Sequence, residues 1–146
     1  MSIESLRKLR AQTEEAITME LAQITQELLN MEMRCRALDT EIQSDVGSYR
    51  LQAEQGLTIE SMLEWQGRMG AQEAALGQAR QAIHVLNDSW QRTQARLVEA
   101  TQARKVLDRL AERRQQARRT EVGRREQQAL DEAAHRRRSP MGTGTS

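Results

Sequence analysis

Apolar and small side chains recur at alternating intervals of three and four residues through much of the second half of the chain. The residues between them are mostly Glu, Gln, Arg and Ala. A seven-residue repeat of this kind is typical of a helix that keeps one narrow seam against a partner helix. The seam positions are Met62, Trp65, Met69, Gln72, Leu76, Ala79, Ile83, Leu86, Trp90, Thr93, Leu97 and Ala100.

A second stripe with the same period lies in the first third of the chain and indicates a partner helix. It weakens after Ile42, where Asp45 takes a seam position and Gly47 follows. Gly56 is suited to end a helix in the left-handed conformation, and Thr58 is a good N-cap for the next helix. The seam positions of the first helix are Ile17, Leu21, Ile24, Leu28, Met31, Cys35, Leu38 and Ile42.

Together the two stripes predict an all-α fold, a long antiparallel two-helix coiled-coil hairpin with unequal arms. The predicted elements are helix 1 at about 4–52, a turn at about 53–57 and helix 2 at about 58–138. We interpret residues 1–138 as a single coiled-coil domain. Residues 139–146 contain Gly, Thr and Pro, and we predict that they form a disordered tail.

The register of the predicted hairpin follows from pairing seam positions across the two helices. The pairs include Ile42 with Trp65 and Cys35 with Gln72, and the two residue numbers of every pair add up to 107. This register centres the turn between residues 53 and 54, inside the glycine-flanked break. A shift by one heptad is expected to move the turn into regular sequence.

In this register helix 2 is longer than its partner and ends in an unpaired overhang. Leu6 faces Thr101, so residues beyond about Ala103 have no partner within the chain. The apolar stripe also fails there, since the next seam positions include Arg104 and Arg114. We therefore predict a basic C-terminal helical overhang.

Charge divides the chain at the same place, between the paired helices and the overhang. Residues 1–56 carry 6 basic and 10 acidic side chains, residues 57–103 carry 4 and 5, and residues 104–138 carry 12 and 6. A solvated helix with little apolar surface is marginal alone, so we expect the overhang to bind another macromolecule. The alternative is a solvated helix stabilised by ion pairs such as Arg104–Asp108 and Glu121–Arg125.

Composition limits the class of protein further. A content of 38% hydrophobic residues without any Phe is too low for a thick globular core, and 29% charged residues suits long exposed helices. Cys35 is the one cysteine and cannot form an intramolecular disulfide. No uncharged run has the length of a membrane span, and the first residues lack the apolar core of a signal peptide. We expect a soluble, cytoplasmic protein.

The residues that usually carry catalysis or bind metals are scattered. His84 and His135 lie far apart, without Cys or carboxylate residues at ligand spacing. No glycine-rich loop follows a strand, so a nucleotide pocket is not expected. The carboxylates lie on exposed faces where nothing desolvates them for acid–base work. We predict no catalytic residue, no metal site, no cofactor and no enzymatic activity.

Two other classes of protein share parts of this pattern. A nucleic-acid-binding coiled coil could use the basic overhang for phosphate contact, although its interleaved acids and lack of aromatics argue against base stacking. A structural coiled coil could use the overhang for self-association. We expect no nucleic-acid partner; salt-dependent binding to DNA or RNA and light scattering separate these alternatives.

The end of helix 2 resembles a known family. It reads LDRLAERR from Leu107 and REQQALDEAAHRR from Arg125. This is similar to the C-terminal signature of the FliJ family, small coiled-coil proteins of the bacterial flagellar type III export apparatus. Chain length, the two-helix architecture and the Tyr49-Arg50 pair agree with the resemblance. The chain departs from the family near the start of helix 2, where the family usually carries more aromatic residues than Trp65.

The resemblance implies a non-enzymatic stalk that links two parts of the export apparatus. FliJ-like proteins resemble the central shaft of rotary ATPases: their joined termini enter the export ATPase hexamer, whose activity they stimulate. The other end of the hairpin reaches the export gate membrane protein FlhA, and export chaperones are further partners. Such a protein is located in the cytoplasm, at the cytoplasmic face of the inner membrane. The stalk of a virulence type III secretion system remains an alternative.

The resemblance also suggests contact residues. Those implied for the ATPase are Gln127, Leu130, Asp131, Glu132, Arg136 and Arg137. Those implied for the gate are Tyr49, Arg50, Leu76, Ala79 and Ile83. Leu76, Ala79 and Ile83 are also seam positions, so the two roles compete.

Overall fold

The computed structural model describes residues 2–143, and the side chains of residues 2–138. It contains helix α1 (Ile3–Gln55) followed by helix α2 (Ile59–Thr143). The two helices pack against each other, and the described residues include no strand. The predicted all-α helical hairpin is therefore confirmed.

The helix ends follow from local side-chain chemistry. Ser2 Oγ accepts a hydrogen bond from the backbone N–H of Ser5 at 3.1 Å and caps α1. Thr58 Oγ1 accepts one from the N–H of Ser61 at 3.1 Å, which confirms it as the N-cap of α2. Gly56 has a φ of 98°, a left-handed conformation that glycine adopts without strain. The chain therefore turns at residues 56–58.

The C-terminal end of α2 differs from the predicted boundary. The helix extends to Thr143, through Ser139–Thr143, where the sequence predicts the start of a disordered tail. Pro140 lies within this stretch, and a proline removes one N–H donor and can bend a helix without ending it. Residues 144–146 lie outside the described residues.

By its contacts the chain falls into two compact units, and the single coiled-coil domain at residues 1–138 stays a prediction. The first unit combines residues 1–11 with 101–146, and the second is formed by residues 12–100. Both units draw on α1 and α2, because two helices lying side by side make only local contacts along their length.

The second unit has a narrow core along the predicted seam. Its buried cluster consists of Leu38, Leu76 and Ala79, with Cys35 and Ile42 packed against it. The predicted seam positions of α1 from Ile17 to Ile42 are all buried or half-buried. Those of α2 are also at least half-buried, apart from Met62. Seam membership was thus predictable from the seven-residue repeat.

The predicted register is wrong by one heptad. Leu38 belongs to one cluster with Leu76, and Tyr49 contacts Trp65, so residue numbers of facing residues add up to about seven more than predicted. Gln72 therefore faces Asp45 and not Cys35. The reason is the turn: α1 continues through Gly47 to Gln55, and the left-handed Gly56 centres the hairpin near residue 57.

The first unit pairs the beginning of α1 with a later part of α2 than predicted. Leu6 and Leu107 are half-buried and line one groove, and Ala111 is the last half-buried apolar residue of α2 in the described part. Arg7 Nε donates to Asp108 Oδ1 at 3.1 Å across the two helices. The unpaired part of α2 consequently begins after Ala111 and not after Ala103.

Candidate functional site

The candidate partner-binding site is the unpaired part of α2, residues 112–138, called here the C-terminal arm. Every side chain of the arm is exposed except that of Glu121, which is half-buried. The arm carries nine arginines against five carboxylates, and no lysine. A guanidinium group has five donors in a planar fork that suits carboxylates and backbone carbonyls, so the arm can form charge-assisted hydrogen bonds along its length.

Ion pairs and hydrogen bonds along the helix support the arm. Glu121 accepts hydrogen bonds from Arg124 Nη2 at 2.7 Å and from Arg125 Nε at 3.2 Å. The hydrogen bond from Arg124, helped by that from Arg125, lowers the pKa of Glu121. The bond to Glu121 in turn raises the pKa of Arg124. The predicted pair Glu121–Arg125 is thus present, as is the predicted pair Arg104–Asp108 at 2.9 Å.

The six residues implied for ATPase binding all lie exposed on the arm. Gln127 Nε2 donates a hydrogen bond to Asp131 Oδ1 at 3.1 Å. Leu130 is the arm's large apolar side chain nearest to this pair, and it is exposed. Glu132 and Arg136 lie one helical turn apart and so share a face. The structure brings together Gln127, Leu130, Asp131, Glu132, Arg136 and Arg137 on one stretch of helix.

The five residues implied for gate binding do not form one exposed surface. Leu76 and Ala79 are only 8% and 4% exposed, since they face α1 in the core cluster. Ile83 is half-buried, and Arg50 is exposed. Tyr49 packs edge-on against Trp65, with ring centroids 6.0 Å apart and an interplanar angle of 76°. Their binding of a gate protein stays a prediction.

The surface next to the turn contains features that the sequence interpretation missed. The guanidinium carbon of Arg68 lies 5.7 Å from the centroid of the Trp65 ring, a cation–π contact. Trp65 Nε1 donates a hydrogen bond to Gln52 Oε1 at 2.9 Å. Apolar side chains exposed near these residues are Leu51, Ile59, Met62 and Leu63. A register centred near residue 57, just after Gly56, would have placed Tyr49 beside Trp65.

The described part of the chain has neither a cluster of metal ligands nor a membrane-spanning helix. No group of three or more His, Cys, Asp or Glu residues there could hold a metal ion. No described helix is apolar enough over a sufficient length to cross a membrane. His84 is exposed and lies 3.8 Å from Asp88.

A helical hairpin whose second helix continues as an exposed, arginine-rich stretch defines the chain as a coiled-coil protein. The family profile described as "Flagellar FliJ protein" matches residues 2–139. The chain belongs to the FliJ family, which indicates a role related to flagellar export. Neither the curated proteins nor the solved structures compared with the chain give a match.

Proposed function

We propose that this protein is a non-enzymatic stalk of the flagellar export apparatus, which binds the hexameric export ATPase through its C-terminal arm. The observation that carries the proposal is the arm itself: 27 consecutive residues with no side chain more than half-buried. Nine arginines give this helix its net positive charge. An isolated helix of this composition is marginal in water, and a charged partner surface would stabilise it.

The contacts to the ATPase are made by Gln127, Leu130, Asp131, Glu132, Arg136 and Arg137. Leu130 supplies an apolar anchor, and the arginines supply forked donors to acidic side chains and backbone carbonyls of the ring. The acidic residues of the same stretch fix its orientation, because like charges facing each other would be repelled.

Stimulation follows from assembly and not from groups supplied to the reaction. If the arm binds the active arrangement of the hexamer more tightly than inactive arrangements, it raises the active population by the ratio of those affinities. The proposed role therefore needs no catalytic residue, cofactor or metal in this chain.

In this proposal the half of the hairpin on the side of the turn contacts the export gate protein FlhA. Arg50 is exposed and Tyr49 and Ile83 are half-buried, so these three can contribute directly. Leu76 and Ala79 contribute by holding α2 against α1. The protein then acts in the cytoplasm, at the cytoplasmic face of the inner membrane, where export chaperones are further partners.

The test is the turnover of the export ATPase with and without the full-length protein. Stimulation is expected from the native chain, and its loss from R136E/R137E and from deletion of residues 120–138. The matched control is R34E/R36E, which makes the same charge change at exposed positions of α1. Circular dichroism shows whether each variant keeps its helices. Full stimulation by the deletion variant, or equal loss in the control, would contradict the proposal.

A further inference from the structure

At one level of the seam in residues 12–100, polar side chains of both helices are buried. Asp45 of α1 and Gln72 of α2 are 8% and 7% exposed. Gln72 Nε2 donates hydrogen bonds to Asp45 Oδ2 and to Glu41 Oε1, the latter at 3.1 Å. Arg68 Nε lies 2.9 Å from the same Asp45 oxygen. These four residues are called here the polar layer, and they tie α1 to α2 one heptad away from the aromatic contact of Tyr49.

Stability alone does not account for the polar layer. Gln72 Oε1 is buried without a hydrogen-bond partner, and an unpaired buried oxygen is unfavourable. Replacing a buried ionic group with apolar residues of similar volume is often neutral or stabilising. An apolar layer would therefore serve the stability of the hairpin at least as well.

The apolar seam does not define its own register, because a seven-residue repeat is unchanged by a shift of seven. A slip by one heptad puts each α2 residue in the place of the one seven positions later. Trp65 would then lie beside Asp45, and Gln72 would take the place of Ala79 in the cluster around Leu38. The Gln72 amide would lose its hydrogen bonds to the carboxylates of Asp45 and Glu41. The amide and the Asp45 carboxylate would then each be buried without a hydrogen-bonding partner.

We propose that the polar layer, through Asp45 and Gln72, selects one of the two heptad registers that the apolar seam allows. Buried polar groups in coiled coils are best known for this use. Elsewhere in residues 12–100 the helices are also joined by exposed side-chain bonds: Trp65 to Gln52 at 2.9 Å, Trp90 to Thr25 at 3.2 Å and Arg96 to Glu20 at 3.1 Å. Exposed groups exchange such bonds for water on slipping, so they discriminate less between registers.

The choice of register also decides how much of α2 is left unpaired. Because α1 and α2 are each one continuous helix, a slip of one heptad moves the last paired position of α2 by seven residues. In the observed register Arg7 bonds to Asp108. In the slipped register Arg7 would face residues near Thr101, and the unpaired segment would begin seven residues earlier.

A cysteine at position 79 distinguishes the registers in the full-length protein. Cys35 packs against the cluster that contains Ala79, so A79C and native Cys35 report the observed register by disulfide formation. The slipped register places residue 79 opposite Leu28. The combination L28C/A79C in a C35A background therefore reports the slip, and the yields of the two disulfides under mild oxidation measure the two populations.

The register is tested by adding D45L/Q72L to both reporters. With the native layer the 35–79 disulfide is expected to exceed the 28–79 disulfide at least about tenfold. D45L/Q72L should bring the two yields within about threefold, with an unchanged or higher melting temperature. Persistence of the native excess in D45L/Q72L would overturn the proposal and assign the register to the turn.

Two further variants serve as controls, one for a variant that fails to fold and one for the general effect of losing a contact between the helices. W65Q/Q72L moves the buried amide from position 72 to position 65, which lies beside Asp45 in the slipped register. The 28–79 disulfide should therefore become the major product. E20Q weakens the exposed pair with Arg96 and should leave the yields unchanged. A dominant 35–79 disulfide in W65Q/Q72L, or a changed ratio in E20Q, would contradict the assignment of the register to the polar layer.

Discussion

Arg7 of α1 donates a hydrogen bond from Nε to Oδ1 of Asp108 of α2 over 3.1 Å. The second carboxylate oxygen of Asp108 accepts a hydrogen bond from Arg104 at 2.9 Å. The hydrogen bond that Arg7 donates to Asp108 raises the pKa of Arg7, and a second one that it donates to Glu4 adds to this effect. One carboxylate thus joins the beginning of α1 to α2 near the level where the pairing of the helices ends.

Removal of this contact should loosen the beginning of α1 without unfolding the hairpin. In D108A the amides of residues 3–10 should exchange faster, because Arg7 loses its partner on the other helix. The melting temperature should change little, since Arg7 and Asp108 are partly exposed to water. E112A, an exposed acidic residue one turn later, is the control. Equal acceleration in both variants would assign the effect to net charge.

The apolar seam should carry most of the stability. Ile24 is 9% exposed, and I24A should lower the free energy of unfolding by about 2 kcal/mol, the low end for buried isoleucine because the core is thin. I24D should destabilise the hairpin more, since it buries a charge without a partner. M19A on the same helix, at a position 67% exposed, should stay within about 0.5 kcal/mol. Thermal melting followed by circular dichroism measures all three, and similar effects of I24A and M19A would contradict the seam.

Two glycines should respond to alanine with opposite signs. G56A should destabilise by about 1–2 kcal/mol, because an alanine at a φ of 98° is strained. G47A should stabilise by about 0.5–1 kcal/mol, because Gly47 lies inside α1 with open space around it. Chemical denaturation of both variants checks the prediction. A stabilising G56A would place the turn elsewhere than residues 56–58.

The arm should lose part of its helical stability in acid. The pKa of Glu121 is lowered in the helix by the hydrogen bond from Arg124, so the ionised form favours the folded arm. This contribution is complete above the pKa of the unfolded state and is lost as the pH falls through the lowered value. The carboxyl carbon shift of Glu121 reports its titration. R124Q should raise the pKa of Glu121 towards its ordinary value, whereas R113Q should not, and no difference between them would contradict the ion pair.

The sequence was sufficient for the seam but not for the register. Alternating steps of three and four residues place Ile24, Leu38 and Leu76 on the contact face whatever their partners are. A shift by seven leaves that pattern unchanged, so the apolar residues could not distinguish the two registers. The information lay in the polar seam residues and the turn: bringing Asp45 close to Gln72 and centring the turn near residue 57, just after Gly56, gives the observed register.

The candidate site was predictable in outline from failure of the apolar stripe and from the arginine content. Its first residue was not, because the wrong register placed Thr101 opposite Leu6. The side-chain environment of the implied gate residues also depended on packing. Leu76 and Ala79 are buried because the observed register puts them against Leu38. A seven-residue repeat alone cannot decide which seam residues are enclosed.

The proposed function requires that the C-terminal arm is exposed to solvent in the free protein and bound in the assembly. The most direct measurement is amide hydrogen exchange of the full-length chain with and without the hexameric export ATPase. Residues 112–138 should exchange rapidly alone and become protected at least about tenfold in the complex, while residues 12–100 stay unchanged. An arm that exchanges equally fast in the presence of the hexamer, or protection confined to residues 12–100, would contradict the account.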